Sequence, residues 1–165
     1  MPTTYEKIAT TTLSSAAANF TFSSISGAYT DLVLIANLGC SSGGQRAGWQ
    51  VNGNTGGNYS KVYMLADGSS TGSSATGNES YSYIFDGIAL PTSLNGNLIQ
   101  HYQNYSNTTT YKAVISRCNN PSSGTMAVVG LIRSTAAITS ITLTPSGGNW
   151  ITGSTFTLYG ILKAA

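Results

Sequence analysis

The stretch TDLVLIANL, residues 30–38, is the part of the sequence that most constrains the fold. Apolar residues follow one another in it almost without interruption. A continuous apolar run of this length is typical of a strand in the middle of a sheet. We therefore expect residues 30–38 to form a central strand.

Strand-like segments continue in both directions from this run. Before it come YEKIATTTL and NFTFSSI, and after it come GWQVNG, KVYMLA, SYSYIFDGIA, LIQHYQNYS, YKAVISRC, MAVVGLIRS, AITSITLTP and TFTLYGILK. Windows of helical length that carry an apolar period of 3.6 are interrupted by glycine or by β-branched clusters. The pattern predicts an all-β protein of about ten strands.

Turn-forming residues separate these segments and supply the positive or fixed φ angles that tight turns need. They are Asn52-Gly53, Asp67-Gly68, Asn95-Gly96, the Asn119–Pro121 segment and the Ser146–Gly148 segment. Short strands at such regular spacing favour an antiparallel sandwich or a barrel. Since no linker divides the sequence, residues 1–165 are expected to form a single domain.

Two hairpins are predicted. The first pairs LIQHYQNYS with YKAVISRC around an NTTT turn that begins at Asn107, which places His101 near Ser116 and Tyr102 near Ile115. The second, SITLTPSGGNWITGSTFTLYGI, closes the chain and carries Trp150 in its loop.

The composition excludes several classes of protein. Only 7% of the residues are charged, the net charge is +2, and the lysines and arginines are scattered, so nucleic acid is not an expected partner. With 41% hydrophobic residues the chain can fold, and disorder is considered only for segments such as residues 68–78. The sequence shows neither a signal peptide nor an apolar run of membrane-spanning length, so we expect synthesis in a cytoplasm and no membrane partner.

The N-glycosylation pattern occurs repeatedly, but a chain rich in Asn, Ser and Thr produces it by chance, and glycosylation needs secretion. The pattern starts at Asn19, Asn58, Asn78, Asn104 and Asn107. At the last of these positions a turn residue is the simpler interpretation.

Catalytic chemistry has few candidate residues. A triad of His101, Cys118 and Asp86 can be imagined, but the predicted register sets His101 near Ser116, with Cys118 further along the strand. The carboxylates are Glu6, Asp31, Asp67, Glu79 and Asp86, spread over separate strands and turns. We therefore predict no enzyme activity, no catalytic residues and no cofactor.

Metal binding is also not predicted, because His, Cys and carboxylates do not cluster in the sequence. The calcium candidates, Asp67 beside Gly68 and Asp86 beside Gly87, are better explained as turns. Cys40 and Cys118 are expected to be buried free thiols. A disulfide formed late, outside the cell, is the alternative, and it needs Cα atoms within about 7 Å.

The aromatic residues could serve the core, a subunit contact or sugar binding. Trp49 is expected in the core. The tyrosines in or beside predicted strands are expected either in the core or in a contact between subunits: Tyr29, Tyr63, Tyr83, Tyr102, Tyr105 and Tyr159. Trp150, in the loop GGNWITG, is the candidate for an exposed contact residue.

Several segments together resemble a known family. They are YEKIATTTLSS, YTDLVLIANL, VNGNTGGNYS, QNYSNTTTYKAVISR, GLIRSTAAITSITLTPSGGNW and GSTFTLYGI. The chain resembles small virion structural proteins of tailed bacteriophages, especially those that infect cyanobacteria. The resemblance implies a jelly-roll-like β-sandwich that serves as a capsid decoration (cement) protein, a head fibre or part of a tail fibre.

A capsid decoration protein is the function we expect first from the resemblance. Such a protein would be a homotrimer, made in the bacterial cytoplasm, that binds the major capsid protein on the outer surface of the virion. The alternative is a receptor-binding module of a tail or head fibre that grips a host-surface glycan through Trp150 and the polar loops. A free lectin or hydrolase is disfavoured by the missing signal peptide and acid pair.

Overall fold

The structure, a computed structural model, describes residues 4–162, which form twelve strands and no helix. The strands are β1 (Tyr5–Thr12), β2 (Phe20–Phe22), β3 (Asp31–Leu38), β4 (Ala47–Val51), β5 (Tyr59–Ala66), β6 (Thr71–Glu79), β7 (Ser82–Ile84), β8 (Gly96–Tyr102), β9 (Lys112–Asn120), β10 (Gly124–Ile132), β11 (Ile141–Pro145) and β12 (Thr155–Ile161). The all-β prediction is confirmed, with two strands more than the expected ten.

The strands form two antiparallel sheets that enclose the core. The larger sheet has eight strands in the order β1-β12-β3-β8-β9-β10-β5-β6, and the smaller has four in the order β2-β11-β4-β7. The stretch at residues 30–38 supplies β3, which lies inside the larger sheet between β12 and β8. Its predicted central position is confirmed.

Eight of the strands pair in the nested order of a jelly roll. The first and last strands pair, β1 with β12, and inside them β2 pairs with β11, β3 with β8 and β4 with β7. Successive strands of this set lie in alternate sheets, except that β4 and β7 pair within the smaller sheet, as in jelly-roll sandwiches. The remaining strands, β9, β10, β5 and β6, extend the larger sheet beyond β8.

Aromatic side chains connect the two sheets in the core. Trp49 of the smaller sheet meets Tyr59 and Tyr102 of the larger sheet edge to face, with ring centroids 5.7 and 5.6 Å apart. All three rings are buried, so the prediction that Trp49 lies in the core is confirmed. Edge-to-face contacts of this kind stabilise a core by about 1 kcal/mol each beyond simple burial.

The hairpin of β8 and β9 is confirmed, but its register differs by one residue from the prediction. His101 lies opposite Ile115, and Tyr102 lies opposite Val114. The loop spans residues 103–111 and is longer than a four-residue turn. Asn107 does begin a turn, since its Oδ1 accepts hydrogen bonds from the backbone N–H groups of Thr109 and Thr110.

Another expectation was wrong. The predicted final hairpin does not exist, because β11 belongs to the smaller sheet and β12 to the larger one. The segment between these two strands therefore crosses from one sheet to the other at the end of the sandwich. The glycine- and serine-rich residues 68–78, considered for disorder, instead include most of the edge strand β6.

Candidate functional site

Trp150, the predicted exposed contact residue, is fully buried, so that prediction was wrong. Its backbone bridges to Ala17 and Cys40, and its Nε1 donates a 3.1 Å hydrogen bond to the carbonyl oxygen of Leu143. Its ring packs edge to face against Phe156 at 6.0 Å. The segment that crosses between the sheets thus carries Trp150 into the core. Its position in a loop of the sequence had suggested exposure, but this loop runs across the end of the core.

The imagined catalytic triad is not assembled. His101 lies on the outer surface of the larger sheet and its Nε2 is 2.9 Å from Oδ2 of Asp31. Cys118 is buried on the opposite side of the same sheet, where burial raises the pKa of its thiol to about 12. A thiol in that state is a poor nucleophile. The carboxylate of Asp86 instead binds the ammonium group of Lys61.

Asp86 holds a buried lysine. Nζ of Lys61 is 2.7 Å from Oδ2 of Asp86 and donates a second hydrogen bond to the carbonyl oxygen of Tyr83. The Lys61 side chain is only 2% exposed, so Asp86 supplies the charge that this ammonium group needs in the core. Asp86 therefore has a structural role.

Asp67 is held within its own turn. Its Oδ1 accepts the backbone N–H groups of Ser69 and Ser70 at 2.9 and 2.6 Å, and these bonds hold the pKa of the Asp67 carboxyl well below its usual range. Its position is that of an Asx turn. Within residues 4–162, no three His, Cys, Asp or Glu residues are grouped as a metal site would require.

The cysteines and tyrosines largely follow expectation. Cys40 and Cys118 are both buried and free, as predicted. Tyr102 and Tyr105 belong to the core, whereas the other tyrosines considered above are half-buried: Tyr29, Tyr63, Tyr83 and Tyr159.

The most unusual surface of the molecule is the outward side of the larger sheet. Six large apolar side chains project from four of its strands and are between 37% and 67% exposed: Ile35, Val62, Met64, Ile115, Val129 and Leu131. Smaller or less exposed apolar residues lie among them: Ile99, Ala113 and Ala127. We call this set of nine residues the apolar face.

The strand register makes the apolar face continuous. Ile115 of β9 lies directly opposite Val129 of β10, which in turn lies opposite Val62 of β5. In a second row, Ile35 lies opposite Ile99, and further along Ala127 lies opposite Met64. Residues directly opposite each other in neighbouring strands project from the same face.

The sequence matches no protein-family model and no curated protein. Among residues 4–162, no helix is long and apolar enough to cross a membrane. The apolar face is the surface feature that most directly indicates a contact, because the largest contiguous apolar patch on a protein is often functional.

Charge is sparse on the apolar face. Arg117 lies within it, opposite both Ile99 and Ala127, and forms no ion pair with any other residue in 4–162. At one end of the face, Asp31 is occupied by His101 and by the backbone N–H of Asn104. Such a surface suits packing against another apolar surface rather than recognition of a charged ligand.

A shallow depression of about 550 Å³ opens at one corner of the apolar face. Met64, Arg117 and Ala127 line it on the side of the face, and residues of β6 close the other side. Apart from Arg117, aliphatic and small polar groups line this depression, so it offers room for an apolar side chain and no aromatic platform for a sugar ring.

Sequence reasoning missed the apolar face, although a signal for it was present. The segments TDLVLIANL, KVYMLA and MAVVGLIRS are apolar at nearly every position, whereas a strand with one solvated side alternates between apolar and polar residues. The structure shows that each of these strands has one side in the core and the other side at the surface.

Proposed function

We propose that this chain is a non-enzymatic structural protein of a tailed-bacteriophage virion. In this proposal it is a capsid decoration protein that binds the outer capsid as a homotrimer and stabilises the shell. The observation that carries the structural role is the apolar face, because a surface of this kind is made for contact with protein. The virion assignment rests on the resemblance of the sequence segments quoted above.

The physical basis of stabilisation is mass action. A protein that binds the assembled shell but not its separated subunits shifts the equilibrium toward the shell by RT ln(1 + [L]/Kd). The decoration protein itself needs no catalytic group. It needs a rigid fold and contact surfaces, and a jelly roll whose core is filled by rings such as Trp49 and Trp150 provides the rigidity.

The test compares virions that contain the protein with virions from a phage in which its gene has been deleted. We expect the deleted particles to release their genome at lower temperature and after milder osmotic shock. Adding the purified protein back should restore the resistance. Unchanged resistance, or imaging that places the protein on the tail, would contradict the proposal.

The receptor-binding alternative has lost its principal candidate residue, since Trp150 is buried. Exposed aromatic rings remain at Tyr5 and Tyr111, which are 55% and 56% exposed. Binding of the purified protein to a glycan array, abolished by Tyr111→Ala, would favour this alternative over the decoration protein.

A further inference from the structure

We infer that the apolar face is the contact surface between copies of this chain, and that the capsid is bound by a different surface. This inference deepens the proposed homo-oligomer and rests on that part of the proposed function. Its test uses the purified protein alone, so it can fail while shell binding succeeds, and the reverse also holds.

The size of the apolar face is appropriate for the centre of a subunit interface. Its nine residues lie on five neighbouring strands, about 19 Å across, and occupy up to three outward positions along a strand, about 14 Å. With side-chain widths added, the area is about 400 Å². A stable interface buries about 800 Å² per partner, with an apolar centre and a polar rim.

Polar residues provide such a rim along one end of the apolar face. The next outward positions carry Asn37, Asn97, Asn119 and Thr125, which are opposite one another in the register of β3, β8, β9 and β10. Asn37 Nδ2 already donates to Oδ1 of Asn97 at 3.2 Å. An apolar centre with amide and hydroxyl groups beside it has the composition of a protein–protein interface.

The time at which the apolar face must be covered favours a second copy of the chain as its partner. The chain folds before it meets any assembled shell, so until then the apolar face is exposed to water unless another copy covers it. Other copies of the same chain are present from the moment of synthesis. A contact between copies would keep the protein in solution until the shell is available.

The low charge of the apolar face also favours a second copy of the chain as its partner. A surface that recognises a different protein is commonly arranged with complementary charges that steer the encounter. The apolar face has only Arg117 within it, and the whole chain is 7% charged. Apart from Arg117, two such surfaces bring little charge to the contact, and the depression beside Met64 can receive an apolar side chain from the other copy.

The test measures the mass of the purified protein by light scattering and sedimentation over a range of concentrations. Val129 lies at the centre of the apolar face and is 50% exposed. It is replaced by lysine, which adds a second positive charge close to Arg117. Leu94→Lys is the matched control, because Leu94 is 41% exposed and lies in the loop before β8, outside the apolar face. A third variant, Val129→Thr, keeps the β-branched shape that strands favour.

We expect the unmodified protein and Leu94→Lys to be oligomers with the same dissociation constant. Val129→Lys should raise that constant by at least about 100-fold, and Val129→Thr by about 10-fold, because each places a polar group in a dry contact. Circular dichroism checks that every variant is folded. A monomeric unmodified protein, or an oligomer that folded Val129→Lys and Val129→Thr leave unchanged, would overturn the inference.

Discussion

Trp150 fills the core at the end of the sandwich where the chain crosses from the smaller sheet to the larger one. Replacing it with alanine removes the ring that packs against Phe156 and leaves a cavity. We expect Trp150→Ala to lower the free energy of unfolding by about 3–5 kcal/mol. Urea denaturation followed by circular dichroism measures this loss.

The control for this prediction is Trp150→Phe, which keeps most of the apolar volume but loses the hydrogen bond from Nε1 to Leu143. Its cost should be about 1–3 kcal/mol, from the lost hydrogen bond and from the volume that the smaller ring leaves empty. If Trp150→Ala unfolded at the same urea concentration as the unmodified protein, Trp150 would not be part of the core.

Cys118 makes stability depend on pH. Because burial raises the pKa of its thiol from 9.0 to about 12, the folded protein keeps a proton that the unfolded chain loses above pH 9. The stabilising contribution is therefore fully present below pH 9 and is lost as pH rises toward 12. Between pH 8 and pH 10 we expect this group to reduce the free energy of unfolding by about 1 kcal/mol.

Cys118→Ala isolates this contribution. The variant loses absolute stability because of the cavity, but its free energy of unfolding should fall less steeply between pH 8 and pH 10 than that of the unmodified protein. Tyrosines titrate equally in both proteins and cancel in the comparison. Parallel pH curves would show that Cys118 does not titrate as described.

At the scale of elements, the loop between β8 and β9 depends on Asn107. Its Oδ1 accepts backbone hydrogen bonds of 2.7 Å from Thr109 and 2.8 Å from Thr110. Asn107→Ala should lower the free energy of unfolding by about 1 kcal/mol, whereas Asn107→Asp keeps the acceptor and should be close to neutral. Thermal unfolding with Thr108→Ala, an exposed neighbour, as the control checks this; equal losses from alanine and aspartate would contradict it.

The strands were predictable where the side chains themselves favour strands, and the pairing was predictable only where it is local. β3 and β10 consist largely of apolar and β-branched residues, so their existence followed from the sequence. β6, TGSSATGNE, has only two threonines and one alanine of these kinds and is a strand because β5 pairs with it. Tertiary context overrides weak propensity at this edge.

At the scale of the whole molecule, long-range pairing escaped prediction. The strands on either side of Trp150 were expected to pair with each other, because neighbours in sequence usually do. In the jelly roll, β11 instead pairs with β2 and β4, and β12 with β1 and β3. Which strands pair depends on how the two sheets pack around one core, and local sequence patterns do not contain that information.

The same architecture explains why function was harder to read than fold. A core residue and a contact residue can both be aromatic or aliphatic, and only the assembled sheets show which side each one faces. Trp150, expected at the surface, lies in the core, while Ile115 and Val129 lie at the surface in strands whose intervening residues are buried. The number of apolar residues was visible in the sequence, but their division between core and surface was not.

Binding to the shell should depend on the oligomer, if copies join through the apolar face and the capsid is bound elsewhere. Several linked subunits bind equivalent positions on the shell with an avidity about 100-fold or more above that of a single subunit. Val129→Lys should therefore raise the half-saturating concentration on particles lacking the protein by at least about 100-fold, while the number of subunits bound at saturation stays the same.

Leu94→Lys, which leaves the apolar face intact, should bind these particles as the unmodified protein does. Cosedimentation with the particles measures both the half-saturating concentration and the saturation level. The saturation level separates the two roles that the apolar face could have. A folded Val129→Lys protein that binds weakly but reaches the full level keeps its shell-binding surface, so Val129 belongs to the contact between copies. One that reaches no saturation at any concentration has lost the shell-binding surface itself, and the apolar face would then have to contact the capsid directly.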